Sequence, residues 1–378
     1  MFSQAATISA FGLTFYIYGL FIAAACIAAG LLLLFASRKT RALKDAAALT
    51  CLLSPLLGLV ISRTVYCLFD SNFRQLASFS AALDLSIGGL SMYGALLGAV
   101  LGALLAARRP GVKAAQWLDM LTPALFLFVT IARLGEGYTT LGISRPLITG
   151  VLDNTFLAFR DEYDAYLRTY YLESAMGFLL CGFSLRDLLK QGGRRGDVAL
   201  TSALLFGLSQ NLFESLRYDG HLRYSFVGLQ QVLSVTLFTL ALVIFAIRLL
   251  KQNKAHGLAI VSLCVLPIVL AAILGIEFMI DRLQLSKWLS YGLYIAVLCI
   301  TLALVIIAIL LLKQNKAHGL AIVSLCALPI VLAAILGIEF MIDRSQLSKW
   351  LSYGIYVLVL CIPMALGLLM RKRSGYNG

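Results

Sequence analysis

WLDMLTPALFLFVTIARLGEGY, residues 117–138, runs from Asp119 to Arg133 without a charged side chain in between. About 20 apolar residues carry a helix across a hydrocarbon core of roughly 30 Å, so this stretch reads as a membrane span with Arg133 near one end. A charge at bilayer depth costs about 2.5–3.5 kcal/mol on insertion scales and is almost always turned toward a protein interior or a water-filled cavity. Arg63, Glu173 and Glu214 share that situation, each inside or at the edge of a different apolar segment. Four such charges on four segments predict one polar cavity built by the first part of the chain.

The rest of the chain has the same character. It has 378 residues, 61% of them hydrophobic and 13% charged, with a mean hydropathy of +0.91. Those values exclude a soluble globular protein. Apolar runs predict an all-α, polytopic integral membrane protein of about eleven spans: 13–36, 46–68, 87–107, 115–135, 170–185, 198–216, 227–250, 258–280, 288–312, 320–342 and 350–370. The fifth is short and is expected to start earlier. The first seven form a core over residues 1–250, and the last four an extension over 251–378. The first apolar run has no basic region before it, so it reads as a span and not as a cleaved signal peptide.

A net charge of +13 would suit a nucleic-acid partner if it were gathered on one face. Instead the basic residues sit in short loops between spans. Nineteen fall in the connections at 38–44, 108–113, 186–195, 248–254, 313–316 and 371–373, and ten in the alternate ones. The positive-inside rule then places the N-terminus outside, the C-terminus in the cytoplasm and no nucleic acid among the partners. Eight cysteines show no CxxC and no histidine spacing suited to zinc, so neither a metal nor a cofactor is expected. Two external stretches, 69–86 and 136–169, carry most of the acidic residues, and the second is expected to form short amphipathic helices.

Residues 239–300 reappear as 301–362, with 55 identities in 62 aligned pairs. Each copy would cross the bilayer twice, so inserting one leaves the orientation of its surroundings unchanged. So close a copy points to a recent tandem duplication with a structural or neutral role.

GGLSMYGALLG, Gly88–Gly98, opens the third span. Gly94, Gly98 and Gly102 share one helix face, and close packing against a neighbouring helix accounts for them fully. Tyr93 differs, because a buried phenol needs a partner. Arg133 has two readings of equal weight: snorkelling to outer headgroups, or a bidentate grip on a lipid phosphate.

In order along the chain, these segments resemble the prolipoprotein diacylglyceryl transferase family of the bacterial cytoplasmic membrane. The resemblance rests on YGLFIAAACIAAG (Tyr18–Gly30), SRTVYCLF (Ser62–Phe69), GGLSMYGALLG and DMLTPALFLFVTIARLGEGY (Asp119–Tyr138). It continues through LESAMGFLL (Leu172–Leu180), FGLSQNLFESLR (Phe206–Arg217) and QVLS (Gln231–Ser234). It covers roughly residues 12–250, and the duplicated tail lies outside it. Arg63, Arg133, Gly135, Glu173, Glu214 and Arg217 match family positions, and Tyr93 falls where members place His or Tyr. Three positions depart: Glu136 stands where the family has Asn, and Phe206 and Gln210 where it has Tyr and Arg.

The resemblance implies transfer of a diacylglyceryl group from phosphatidylglycerol to the cysteine thiol of a prolipoprotein, whose signal peptide is then a partner. Glycerol phosphate leaves. On that reading Arg133 clamps the phosphate, and Arg63, Gly135, Gln210 and Arg217 bind substrate. Tyr93 takes the base position, with Glu136 either its substitute or a partner weakening Arg133. Glu173 and Glu214 are expected to lock helices through pairs with Arg63 and Arg217. Two other readings stay open: a catalytically impaired paralogue that binds lipid or a signal peptide, and a transporter.

Overall fold

The computed structural model describes residues 6–251 apart from 11–12, 71–72, 74–78, 85–88, 140, 148–154, 161–164, 191–193, 218–222 and 225–226. Beyond 251 it describes only 266, 269–270, 273, 357–365, 368–369 and 371. The expected eighth to eleventh spans and most of the 62-residue duplication therefore lie outside the described residues.

The chain is an all-α membrane protein with small sheets in its connections. Its helices are α1 (Ile17–Ala36), α2 (Arg41–Phe69), α3 (Phe79–Leu83), α4 (Met92–Ala106), α5 (Ala114–Gly135), α6 (Thr169–Lys190), α7 (Asp197–Leu216) and α8 (Leu229–Lys251). All but α3 coincide with the first seven apolar segments. Among the described residues, four helices are long and apolar enough to cross a membrane: Ile17–Ala36, Arg41–Phe69, Ala114–Tyr138 and Leu229–Arg248. Contacts divide the chain into two units: residues 1–202 with 209–234, and residues 203–208 with 235–378. The buried residues described in the second unit include Leu204, Phe206, Phe238, Leu242 and Phe245. Arg63, Arg133, Glu136, Glu173 and Arg217 belong to the first unit.

Three boundaries differ from the sequence reading. Residues 13–16 are not helical: strand β2 (Leu13–Tyr16) pairs antiparallel with β1 (Thr7–Ala10), and the helix begins at Ile17. TISA and LTFY are rich in β-branched and aromatic residues, which prefer a pleated strand. The fifth segment extends at its far end, to Lys190, and not at its near end. The expected amphipathic helices of 136–169 are absent among the described residues. A 3-10 turn, Glu136–Tyr138, leads into β3 (Ile143–Leu147), β4 (Ala158–Arg160) and β5 (Ala165–Arg168), antiparallel in the order β3-β5-β4. Ala165 and Leu167 are buried while Tyr166 and Arg168 are less so. That is the period of two that only a strand can satisfy.

Helices α2 and α4 pack at backbone contact. A Cβ on Gly94 would meet Ser62 Cα at 2.7 Å, one on Gly102 would meet Ser54 N at 2.8 Å, and one on Gly98 would collide with the Leu57 carbonyl. The four-residue glycine face is thus a groove for α2, as its spacing predicts. Hydroxyls complete the seam. Ser54 donates to Ala99 O at 2.8 Å and Ser62 donates to Ser91 O at 2.7 Å. Helix α6 approaches α5 in the same manner, with Ser174 donating to Thr130 O at 2.8 Å and Gly177 facing Thr130.

At one end of these helices lies an apolar core of Leu33, Leu43, Ala46, Trp117, Met120 and Leu121. There Asp119 caps α7 from another helix, accepting from Gly196 N at 2.5 Å and Ala199 N at 2.8 Å. Gly196, at φ +88, offers no side-chain cap of its own. The opposite ends of the same helices hold charge.

Candidate functional site

Arg133 lies in the last turn of α5, and Glu136 follows at the start of the 3-10 turn. A helix places residues three apart on one face, and Arg133 Nη1 donates to Glu136 Oε1. Glu173, in the second turn of α6, brings its Oε2 within 2.6 Å of Arg133 Nη2, though at an angle outside hydrogen-bond geometry. Arg217 follows the last residue of α7, its backbone extended and bridged to Ser144 of β3. Its Nη1 donates to Glu173 Oε1 at 3.1 Å, and its Nη2 lies 3.4 Å from Glu136 Oε2.

The four side chains form a closed quartet in which each carboxylate meets both guanidiniums. None is more than 5% exposed. Ion pairs so deeply buried hold together only because every member has opposite charge beside it.

Arg63 is bound to main chain. Its guanidinium donates to three main-chain carbonyls, Ala82 O at 2.9 Å, Asp84 O at 2.8 Å and Gly89 O at 2.9 Å. It organises the chain between α2 and α4, and Glu173 is held by Arg133 and Arg217. Gly135 serves the approach of α1: a Cβ there would meet Phe21 Cβ at 2.7 Å and Tyr18 Cδ2 at 3.1 Å. Gln210 is buried in α7, and its Nε2 has no hydrogen-bond partner among the described residues. Glu214 is buried one turn before Arg217, and Phe206 belongs to the second unit.

Tyr93 is buried at the start of α4, where its hydroxyl meets Ser234 Oγ of α8. Ser234 donates its own proton to Gln230 O at 2.7 Å. A carbonyl can only accept, so in this chain the phenol is the donor. Its proton is directed at Ser234. Ser234 and Gln230 were missed in the sequence, because no local pattern links them to Tyr93, 141 positions away.

Arg133 and Glu136 of the quartet line the polar end of an apolar groove of about 190 Å³ between α1, α2, α4 and α5. Tyr18, Ser62, Ser91, Arg133, Glu136 and Gln230 line that end, and Leu33, Leu121 and Ala124 the other. From Tyr18 to Leu33 the wall of α1 runs about 22 Å at 1.5 Å per residue, longer than one leaflet of a roughly 30 Å hydrocarbon core.

A family model described as prolipoprotein diacylglyceryl transferase matches residues 5–247. A phosphatidylglycerol–prolipoprotein diacylglyceryl transferase of Listeria welshimeri is 26% identical over 249 residues, covering 63% of this chain and 87% of that protein. Its counterpart in Geobacillus kaustophilus is 25% identical over 200 residues, with coverage of 52% and 74%. That of Staphylococcus xylosus is 22% identical over 207 residues, with coverage of 53% and 73%.

Proposed function

The chain belongs to the prolipoprotein diacylglyceryl transferase family, and from that premise we propose that it moves a diacylglyceryl group from a glycerophospholipid to the cysteine thiol of a prolipoprotein. Phosphatidylglycerol, named for the relatives, is the first donor to test. The observation that carries this reading is a buried guanidinium, Arg133, at the polar end of an apolar groove, held beside Arg217 by Glu136 and Glu173.

In the reaction the thiol sulfur attacks the glycerol carbon that bears the phosphate. A C–S bond forms, the C–O bond breaks, and the phosphate monoester departs with the thiol's proton. Negative charge develops on the departing oxygen, where a preorganised guanidinium is worth most. Arg133, which lines the groove, is the clamp, and Arg217 supports it through Glu136 and Glu173. Those carboxylates hold the guanidiniums apart and in register, and must yield part of Arg133 when a phosphate arrives. Seven helices of residues 1–250 form the reacting core. The N-terminus lies outside, the C-terminus in the cytoplasm, and the duplicated unit adds four spans for a total of eleven.

The test is complementation in cells depleted of their own diacylglyceryl transferase, read as lipidation of a prolipoprotein. The wild-type chain restores lipidation and Arg133→Ala, expressed in the membrane to the same level, does not. Rescue by the variant would remove Arg133 from the mechanism, and no rescue by the wild type would defeat the assignment.

A further inference from the structure

Arg133 and Glu136 line the polar end of the groove, whereas Glu173, Glu214 and Arg217 are buried without lining it. Among the described residues, Glu136 is thus the one carboxylate on the groove wall. Its oxygens are directed at two guanidiniums, from α5 and from the end of α7: Oε1 accepts from Arg133 Nη1, and Oε2 lies 3.4 Å from Arg217 Nη2. The two non-bridging oxygens of a phosphodiester suit a pair of guanidiniums in the same way. Gly142, at φ +76, leaves the carboxylate its place, since a Cβ there would stand 3.0 Å from Oε2. On Arg133, Nε and Nη2 are sealed by protein, and Nη2 lies 2.6 Å from Glu173 Oε2. With Nη1 held by Glu136, an anion in the groove reaches this guanidinium only by taking the place of that carboxylate.

We propose that Glu136 is a built-in counter-anion occupying the phosphate's place, so that the donor lipid binds by displacing it from Arg133 and Glu136 sets how tightly an anionic glycerophospholipid is held. The charge count supports this. Glu214 is buried one turn before Arg217 in α7, so among the described residues three carboxylates, Glu136, Glu173 and Glu214, stand with two guanidiniums, Arg133 and Arg217. A phosphodiester arriving beside all three adds a further anion to a region already rich in them, and surplus buried charge is strongly unfavourable. Without the charge of Glu136 two carboxylates face two guanidiniums, and the phosphate then restores the original count. Glu136 is therefore the carboxylate this centre can lose, and the one in the lipid's way. The inference rests on the transferase reading for the identity of the lipid.

The experiment titrates the full-length protein in detergent with dioleoyl phosphatidylglycerol and, separately, with dioleoylglycerol, which has the same chains and no phosphate; bound lipid is counted by native mass spectrometry. The wild type is expected to hold the two within about threefold of each other, the worth of one weak net hydrogen bond. Glu136→Gln should hold phosphatidylglycerol about tenfold tighter or more, the gain expected of one charge-assisted hydrogen bond, and dioleoylglycerol as before. Adding Arg133→Gln to Glu136→Gln should abolish the gain. A wild type that already prefers phosphatidylglycerol by about a hundredfold overturns the proposal without reliance on any variant, because a phosphate would then be reaching its guanidinium unopposed. A folded Glu136→Gln protein with no gain, or a gain that survives Arg133→Gln, also overturns it. Transfer to a prolipoprotein is measured separately. The gain in retention with no transfer by either protein leaves this inference standing and removes the transferase reading; transfer by the wild type with no gain in the variant does the reverse.

Discussion

Replacing Glu173 with Gln tests whether the buried quartet holds the charged ends of α5, α6 and α7 together. Glu173 is fully buried and reaches Arg133 Nη2 at 2.6 Å and Arg217 Nη1 at 3.1 Å. At an effective dielectric constant near 20, a unit pair at these separations attracts by about 5–6 kcal/mol. Two such attractions are opposed by several kcal/mol of desolvation per ion and by repulsion from Glu136. Removing the carboxylate leaves two buried guanidiniums on one remaining anion, a situation that typically costs about 3–5 kcal/mol. Glu173→Gln should therefore lower unfolding stability by about that much in a titration with sodium dodecyl sulfate in mixed micelles, followed by helicity. Adding Arg217→Gln should recover more than half of the loss, because one cation then faces one anion and both amides can hydrogen-bond. A single variant within about 1 kcal/mol of wild type, or a double variant no better than the single, would refute the reasoning. Either result would mean that the four charges are solvated or move apart when the lipid environment changes.

Gly98→Ala should cost about 1–3 kcal/mol in the same titration, since the added methyl meets the Leu57 main chain and cannot push it aside; a neutral result would mean that α2 and α4 are further apart than described. Tyr93→Phe should keep lipid transfer within about tenfold of wild type and lose roughly 1 kcal/mol of stability, because the phenol donates one hydrogen bond to Ser234. A fall of a thousandfold or more in transfer with intact folding would return the phenol to catalysis. Excising residues 301–362, one copy of the 62-residue unit, removes an even number of spans and should leave complementation unchanged. Loss of rescue with normal membrane expression would give the second copy a function.

The membrane class, the positions of the helices and the glycine seam were legible in the chain because each depends on local chemistry. An apolar run such as Met120–Ala132 must satisfy its backbone internally in lipid, and a helix is the one solution a single segment has. Gly94, Gly98 and Gly102 share a face whatever lies opposite. The strands of 143–168 were less legible, since three to five residues carry too little periodicity to separate a short strand from a surface helix.

Sequence by itself also placed Arg133, Glu136, Glu173 and Arg217 at the ends of helices, and the three-residue spacing foretold the first pair. Which charge meets which was decided by tertiary structure. Pairing across helices depends on how each helix is rotated and where it crosses its neighbours. Those angles are set by contacts spread over the whole length of the helices, such as Gly177 on Thr130 and Phe21 against Gly135. That is why Arg63, as charged as Arg133 and as deep in its segment, turns to the carbonyls of Ala82, Asp84 and Gly89, while Glu173 receives Arg133 and Arg217.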